Sequence, residues 1–321
     1  MQHNQDISKQ SDIGTKSSEF LGIESDNRTR NLTLSNTANE PCACGKQDCS
    51  CASGGKKMIS TSYVYAIGKV VHRFPTKSLE LELAQAKGRK PAEDTRSITD
   101  DEVIYKTLAD PENRYIARLI CYVLKIEGLE TYLLVPSDPS DIDRFVTALQ
   151  PAAGAPGMVD TDVIIGRRGP IASPEMCNGL MVPIVRVDQI YSFDRDTLMK
   201  AIPKRKGESE DQIKKTANAL FDHILQIADN TGELDGHRAI NYLAVRYDEI
   251  YHRTQLMQDE NYSFTAIDVR PSRLSGTRNI VDVIFSYENR SNRAIRQWFV
   301  RVDVTEEFPF LVSAMQEYFE R

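Results

Sequence analysis

The chain has 321 residues, of which 40% are hydrophobic, so it can bury one large core or two modest ones. Its net charge of −6 argues against a general nucleic-acid or anionic-membrane binder, because such proteins present a basic face to phosphates. No stretch approaches the roughly 18 consecutive apolar residues of a membrane span, and the N-terminus lacks the features of a secretory signal. We therefore expect a cytoplasmic protein whose six cysteines are mostly reduced.

The first part of the chain differs in composition from the rest. Residues 1–57 are rich in Ser, Asn, Thr, Asp and Gln, with few aromatic residues and no sustained periodicity. Such a segment cannot bury enough apolar area to offset a conformational entropy cost of about 1–2 kcal/mol per residue. We predict a disordered, cysteine-containing tail over residues 1–57 and one folded domain over residues 58–321.

The folded part begins with mixed signals for strands and helices. Apolar residues predict a strand at 63–71 and a short helix that ends at Gly88. Thr99 and Glu102 form a capping box, which predicts the start of a second helix. Two apolar runs on either side of Glu127-Gly128 predict a β-hairpin.

The second half contains longer periodic segments. The pattern predicts strands at 163–165 and 182–185, helices at 210–229 and 235–257, strands at 264–270, 280–287 and 296–304, and a helix at 310–320. Alternating and clustered elements together indicate an α+β fold, with mixed α/β as the alternative, in one compact body.

Several long segments, in one order along the chain, resemble a known family. The segments that carry the resemblance are 63–68, 73–75, 128–132, 168–179, 189–194, 241–247, 269–278, 281–285 and 300–310. They closely resemble the C-terminal domain of the PatG family of cyanobactin maturation proteases, a domain that also ends the PatA-type proteins. The resemblance implies a place in the maturation of ribosomally made peptides, but no reaction, since this domain of the family has no assigned chemistry. The Asp and His segments of a subtilisin-like protease are missing, so protease activity is not carried over.

Four cysteines of the tail form a cluster: Cys42, Cys44, Cys49 and Cys51. Four thiolates can close a tetrahedral zinc site, although this spacing differs from the paired C-x2-C of zinc ribbons. Two alternatives stay open. The cluster is a redox-labile tail, or its alternation of cysteine and small residues mimics the core peptides of the pathway.

The loop between the two apolar strands, residues 166–179, is a candidate pocket rim. Arg167 and Arg168 can hold a carboxylate such as a peptide C-terminus, or they form surface ion pairs. Cys177 is a weak candidate nucleophile, with His237 as its base and Asn241 as the orienting group. The alternative is that Cys177 is a small buried core residue.

Three further arginines, Arg270, Arg273 and Arg278, fall in one predicted connection. They can line a groove for an acidic peptide such as a precursor leader. In the alternative interpretation they pair with Asp303, Glu306 and Glu307 to fix the connection.

These observations favour an accessory module, without catalysis, that binds a precursor peptide or a partner enzyme in a peptide-maturation system. The competing hypotheses are a thiol- or zinc-dependent enzyme acting on such a peptide and a metal-responsive regulator. Zinc is the one cofactor that the sequence suggests. We expect no nucleic-acid or membrane partner, and a homodimer is an open alternative.

Overall fold

The structure is a computed structural model that describes residues 62–88, 99–151, 160–203, 205 and 209–319. The described residues all belong to a single unit, Met58–Arg321. The predicted tail and its cysteine cluster lie outside the described residues.

The first half of this unit is built on a closed five-stranded barrel. Its strands are β1 (Tyr63–Arg73), β2 (Cys121–Ile126), β3 (Leu129–Pro136), β4 (Asp160–Ile171) and β5 (Pro183–Asp194). They close in the order β1-β2-β3-β5-β4, and only β3 and β5 run parallel among these pairs. The predicted hairpin is confirmed between β2 and β3, where Glu127 and Gly128 both have positive φ, 50° and 81°.

Short helices connect the barrel strands. They are α1 (Lys77–Gly88), α2 (Asp100–Leu108), α3 (Arg114–Leu119) and α4 (Ile142–Ala148). The predicted end of α1 at Gly88 and the predicted start of α2 are both confirmed. The Thr99 hydroxyl accepts a hydrogen bond from the Glu102 amide at 3.3 Å, which satisfies one of the free N–H groups at the start of α2.

A second group of helices follows the barrel: α5 (Arg195–Lys200), α6 (Glu210–Leu225), α7 (Asp235–Arg246) and α8 (Glu249–Asp259). The predicted helix at 210–229 is confirmed as α6. The single helix predicted at 235–257 is wrong in one respect, because the chain forms two helices there. Tyr247 leaves the helical conformation with φ −131° and ψ 91°, and this break separates α7 from α8.

The chain ends in a four-stranded antiparallel sheet. Its strands are β6 (Tyr262–Pro271), β7 (Ile280–Asn289), β8 (Ile295–Asp303) and β9 (Phe310–Tyr318), paired in sequence order. The first three were predicted and are confirmed. The helix predicted at 310–320 is wrong: residues 310–318 form β9, because pairing with β8 satisfies their backbone groups.

Two large apolar clusters hold these parts together. Barrel residues such as Val64 and Ala66 pack with α1–α4, whereas their alternate neighbours Tyr65 and Ile67 pack with α6–α8. The same helices cover the inner face of the C-terminal sheet. The helix layer therefore lies between the barrel and the sheet, and the α+β class predicted from the sequence is confirmed.

A polar joint connects the helix layer to the barrel. The Asn241 side chain on α7 donates to the carbonyl of Tyr65 at 2.8 Å, and the Tyr65 amide donates to the carbonyl of Gly232 at 2.9 Å. Gly232 has φ +74°, and a Cβ there would lie 2.3 Å from the Tyr65 carbonyl oxygen. Only glycine fits this close approach.

Among the described helices, none combines the length and apolar character needed to cross a membrane.

Candidate functional site

The outer face of the C-terminal sheet carries the arginines that the sequence singled out. On β7, Val283 and Phe285 belong to the core, so the alternate residues Asp282 and Ile284 point to the outer face. The Arg270 guanidinium on β6 lies 3.4 Å from the hydroxyl of Tyr318 on β9, although these strands are at opposite edges of the sheet. The outer face is therefore concave.

This concave face forms a groove of about 470 Å³. We call it the arginine–aromatic groove. It is lined by Arg270, Pro271, Arg273, Asp282, Ile284, Phe299, Arg301, Tyr318 and Phe319. Three guanidinium groups and three aromatic rings thus share one surface with a single carboxylate.

Aromatic stacking organises the centre of the groove. The Arg301 guanidinium carbon lies 4.8 Å from the centre of the Phe299 ring, and the Phe299 and Tyr318 rings meet edge to face at 5.7 Å. The Nε of Arg301 also lies 3.1 Å from Asp282 Oδ1. These contacts hold the side chains of Arg301 and Phe299 in place, which lowers the entropy cost of binding a ligand against them.

The residues that line the groove carry an excess of positive charge, because they include three arginines and one carboxylate, Asp282, which pairs with Arg301. Arg273 makes no ion pair with any residue in the part of the chain that the structure describes. A carboxylate that enters the groove would meet guanidinium groups from three different segments, and guanidinium binds carboxylate through two parallel hydrogen bonds. The arrangement is suited to an acidic group next to an apolar or aromatic one.

Arg278, the third arginine of the predicted groove, lies elsewhere. Its Nε is 2.5 Å from Asp303 Oδ2, and its guanidinium stacks over Phe310 at 5.1 Å. The Asp303 side chain is completely buried, so this contact neutralises a buried charge. The predicted pairing of an arginine with Asp303 is confirmed for Arg278.

Arg167 and Arg168 lie on β4 and not in the predicted irregular loop, since pairing with β1 and β5 extends this strand to Ile171. Arg168 Nε is 3.0 Å from a carboxylate oxygen of Glu233. Arg167 Nη2 is 3.2 Å from Glu307 Oε2, which matches the ion-pair alternative of the sequence analysis. Both are exposed surface residues of the barrel and do not line the groove.

Glu307 belongs to a pair of carboxyl groups. Burial and the neighbouring Asp188 raise the pKa of Glu307 to about 7, against the opposing effect of Arg167. Burial of Asp188 acts in the opposite sense, yet hydrogen bonds with Glu307 and Ser137 and the charge of Arg167 lower the pKa of Asp188. Below neutral pH the pair therefore holds one proton, and this proton is on Glu307.

Buried Arg238 fixes the segment that carries Glu307. Its guanidinium donates to the carbonyls of Val304 at 2.7 Å and Glu307 at 3.3 Å, and also to the carbonyl of Glu306. The segment between β8 and β9 is thereby held in one position beside the barrel.

Cys177 forms a disulfide with Cys121, and the two Cα atoms are 6.1 Å apart. Both residues are buried, in a small cluster with Val123, Leu133 and Ala172. The prediction of reduced thiols does not hold for this pair, and Cys177 in the disulfide has no thiolate to act as a nucleophile.

His237 and Asn241 do not form the catalytic pair considered for Cys177. His237 is partly buried on α7, and this burial lowers its pKa. The Asn241 side chain is occupied by Tyr65 and by Asn230, whose amide donates to it at 2.8 Å.

Within the described residues, no cluster of three or more His, Cys, Asp or Glu side chains is arranged to hold a metal ion. The proposed zinc ligands Cys42, Cys44, Cys49 and Cys51 lie outside those residues.

Residues 207–318 match the PatG C-terminal family. The resemblance inferred from the sequence is thereby confirmed, and the matched range includes α6–α8 and the whole C-terminal sheet. All residues that line the groove fall within it except Phe319.

One solved structure, titled "PatG Domain of Unknown Function", is similar to this chain with a TM-score of 0.63 and 19% sequence identity. The alignment covers 80% of this chain and 99% of the other, so the two share their fold over most of the described residues. No curated protein matches the chain.

Sequence reasoning found two of the groove residues and missed the others. Arg270 and Arg273 were identified by their charge. Phe299, Arg301 and Tyr318 were missed because their common face depends on how the strands pair. The alternation in β8, where core residues Val300 and Val302 flank Arg301, contained the signal for one of them.

Proposed function

We propose that this protein is a non-catalytic accessory module of a ribosomal-peptide maturation system and that it binds an acidic peptide segment in the arginine–aromatic groove. The peptide-maturation context comes from the PatG resemblance. The observation that carries the binding role is the convergence of Arg270, Arg273 and Arg301 on one concave face with three aromatic rings.

The chemistry of the groove favours a peptide over a small metabolite. The groove is open and is lined by residues of several strands, and its charged groups are spread from β6 to β8. An extended chain can place a carboxylate near Arg273 and an apolar side chain near Phe299 at the same time. A precursor peptide fits this description, and an acidic segment on a partner enzyme would use the same contacts.

The thiol-dependent alternative loses its main support at Cys177, because this residue lies in a buried disulfide. The zinc-dependent alternatives rest on the tail cysteines, about which the described residues carry no information. No contact among the described residues favours either alternative over peptide binding.

The first prediction tests the groove with a matched pair of variants. Arg273→Glu reverses a charge in the groove, and Arg118→Glu makes the same change at an exposed site on α3. We expect Arg273→Glu to weaken the binding of a fluorescently labelled acidic precursor segment by about tenfold or more, because a charge-assisted hydrogen bond is replaced by repulsion.

Fluorescence anisotropy would measure the two dissociation constants, and circular dichroism would verify that both variants fold. Arg118→Glu should bind as the unmodified protein does. The proposal fails if acidic peptides do not bind at all, or if both variants bind equally well.

A further inference from the structure

A second cavity, of about 440 Å³, lies between the barrel and the end of α6. We call it the barrel–helix pocket. Its lining includes Ile67, Lys69, Lys125, Thr161 and Leu225. Its volume falls within the roughly 300–1,000 Å³ of ordinary small-molecule sites. The pocket shares no lining residue with the arginine–aromatic groove, so the proposed function of the groove does not account for it.

Two lysines lie directly opposite each other at this pocket. Lys69 on β1 and Lys125 on β2 are register partners in an antiparallel pair, so their side chains share one face of the sheet. Like charges at such positions destabilise a pair of strands. Neither lysine makes an ion pair within the part of the chain that the structure describes, and Glu130, opposite Lys125 on β3, pairs with Arg73 at 2.8 Å. A rule of sheet stability is thus broken beside a cavity, and such departures are typical of functional sites.

A buried hydroxyl group also faces the pocket. Thr161 on β4 lines it and is only 4% exposed. Val163 and Ile165, the next residues on the same face of β4, pack with α6–α8, so the Thr161 side chain points to the same side as Ile67. Its hydroxyl has no hydrogen-bond partner among the described residues. Since a buried polar group without a partner costs free energy, this hydroxyl favours a ligand that can pair with it.

The end of α6 does not require the two lysines. Its last carbonyl groups are bound by residues that follow the helix. The Gln226 amide donates to the Asp222 carbonyl at 3.0 Å, and the Ile227 amide donates to the Ile224 carbonyl at 3.3 Å. The lysine ammonium groups are therefore not needed to satisfy these carbonyls, and they can pair with a ligand.

The other charges of the pocket indicate the charge of its ligand. The Arg195 guanidinium donates to the Asp222 carboxylate, and Glu127 lies exposed on the turn between β2 and β3. Together with the two lysines, three cations and two carboxylates line the pocket, which leaves one positive charge in excess. This excess matches a monoanion such as a carboxylate.

The remaining walls of the pocket are apolar. Ile67 from β1, Ile126 from β2 and Leu225 from α6 supply them. Ile67 is 3% exposed and belongs to the larger core cluster, so this wall is held in place by the packing behind it. Burial of an apolar chain against these residues is favourable, because it removes apolar surface from water. The pocket thus combines apolar walls with two ammonium groups and a hydroxyl.

We propose that the barrel–helix pocket binds a carboxylate that carries an apolar chain. The carboxylate lies between Lys69 and Lys125 and accepts a hydrogen bond from Thr161. The apolar chain packs against Ile67 and Leu225. Two sources have this chemistry, the C-terminus of an apolar peptide and a fatty acid. The inference goes beyond the proposed function of the groove and does not rest on it.

The second prediction is that the full-length protein binds at least one of two probes, octanoate or acetyl-leucyl-leucine with a free carboxylate. The matched neutral controls are octanamide and the amide of the same peptide. We expect each neutral control to bind about tenfold more weakly than its acid, or not at all, because an amide offers no charge to the lysines. Isothermal titration calorimetry near neutral pH would measure the dissociation constants.

Lysine variants test the position of the site. Lys69→Gln and Lys125→Gln should each weaken the binding of the acid by about tenfold, whereas Lys215→Gln, the same change at an exposed site on α6, should not. Arg273→Glu in the groove should also leave this binding unchanged. Because Lys69→Gln removes the repulsion between the facing lysines, the unliganded variant should unfold at the same temperature as the unmodified protein or at a higher one.

The probes also distinguish the two sources. Binding of octanoate alone identifies a fatty acid, binding of the peptide alone identifies a peptide C-terminus, and binding of both shows that the pocket recognises their shared chemistry. The inference is overturned if neither acid binds, if the neutral controls bind as tightly as the acids, or if both lysine variants bind as the unmodified protein does. A lower unfolding temperature of Lys69→Gln with unchanged binding would show that the lysine pair serves the fold and would also overturn it.

Discussion

Glu307 is a single residue that links the segment after β8 to the barrel, and the charge of its carboxyl group changes with pH. It follows β8, yet its carboxyl group contacts Arg167 on β4 and Asp188 on β5. With its pKa raised from 4.5 to about 7, Glu307 is protonated well below neutral pH and loses its proton as the pH rises through neutral. A second negative charge then appears beside Asp188 in a buried position.

The third prediction is a pH dependence of stability. Because the pKa of Glu307 is higher in the folded than in the unfolded protein, its contribution is fully present below about pH 4.5 and is lost as pH rises through about 7. The lowered pKa of Asp188 affects the free energy of unfolding in a separate pH range, below the usual aspartate value of 3.8. The lowered pKa values of His72 and His237 act in the opposite sense over part of this range. We therefore define the Glu307 contribution as the difference in the free energy of unfolding between the unmodified protein and Glu307→Gln, and we expect this difference to fall between about pH 5 and pH 8.

Urea unfolding at a series of pH values would measure this difference. Glu307→Gln cannot titrate at this position, so the unmodified protein should lose stability relative to it as the pH rises, whereas the difference between the unmodified protein and Glu233→Gln, which removes the partner of Arg168, should not change with pH. Equal slopes in the unmodified protein and in Glu307→Gln would contradict the prediction.

Residue-level predictions from the sequence succeeded where a charge has a partner close to it in the fold. The pairing of Arg278 with Asp303 was among the interpretations left open, and so were surface ion pairs for Arg167, whose partner Glu307 was instead expected to pair with the arginines of the 270–278 connection. Arg270 and Arg273 were identified as candidate groove residues, and both line the groove. Arg301 was not identified, since the alternation in β8 shows that it points away from the core but only its register with Asp282 places it on the face that carries Arg270.

At the level of elements, β9 shows why local sequence is insufficient. Residues 310–318 include Ala, Met, Gln and Glu, which favour a helix, and their apolar spacing fits either a helix or a strand. The edge of β8 offers unpaired backbone groups, and pairing with them outweighs helix propensity. The helices α2 and α6 were predicted correctly because each has a long periodic pattern or a capping residue of its own.

The connection between β4 and β5 is an element whose position depends on a covalent link. The disulfide joins Cys121 on β2 to Cys177 in this connection and closes a loop with a sequence separation of 56. In the chain-entropy account, a loop of this size stabilises the folded state by about 4 kcal/mol, because the unfolded chain is restricted.

The fourth prediction is that removal of this link lowers the thermal stability. We expect the double variant Cys121→Ala, Cys177→Ala to unfold about 10 °C below the oxidised protein, given that 1 kcal/mol corresponds to roughly 2–4 °C for a chain of this size. Differential scanning calorimetry would measure the shift. Thiol titration of the native oxidised protein should detect neither cysteine.

The unmodified protein after complete reduction serves as the control, since it should approach the stability of the double variant. In the double variant, a reductant should not change the temperature at which the folded domain unfolds. If the oxidised protein and the double variant unfold at the same temperature, the link does not stabilise the fold.

At the scale of the whole molecule, barrel closure could not be derived from the sequence. The closing contacts pair β1 with β4 and β3 with β5, which are far apart along the chain. The sequence indicates each strand by its apolar residues, but the register between distant strands depends on packing across both faces. The α+β class follows from element types alone, whereas the sheet order does not.

The charge of the whole molecule opposes the charge of its groove, and this gives the fifth prediction. The chain carries a net charge of −6, so an acidic peptide is repelled at long range and attracted only near the arginines. Raising the ionic strength from about 0.01 to 0.15 M shortens the Debye length from about 30 to 8 Å. Added salt should therefore screen the long-range repulsion before it weakens the short-range contacts with the arginines.

We expect the association rate constant of the acidic peptide to rise or stay level over this range, and the dissociation rate constant to rise as the contacts with Arg273 and Arg301 weaken. Stopped-flow fluorescence would measure both rates. In Arg273→Glu the dissociation rate should depend less on salt, because one attractive contact is absent. An association rate that falls steeply with salt would mean that the positive groove dominates the long-range field, contrary to the net charge of the protein.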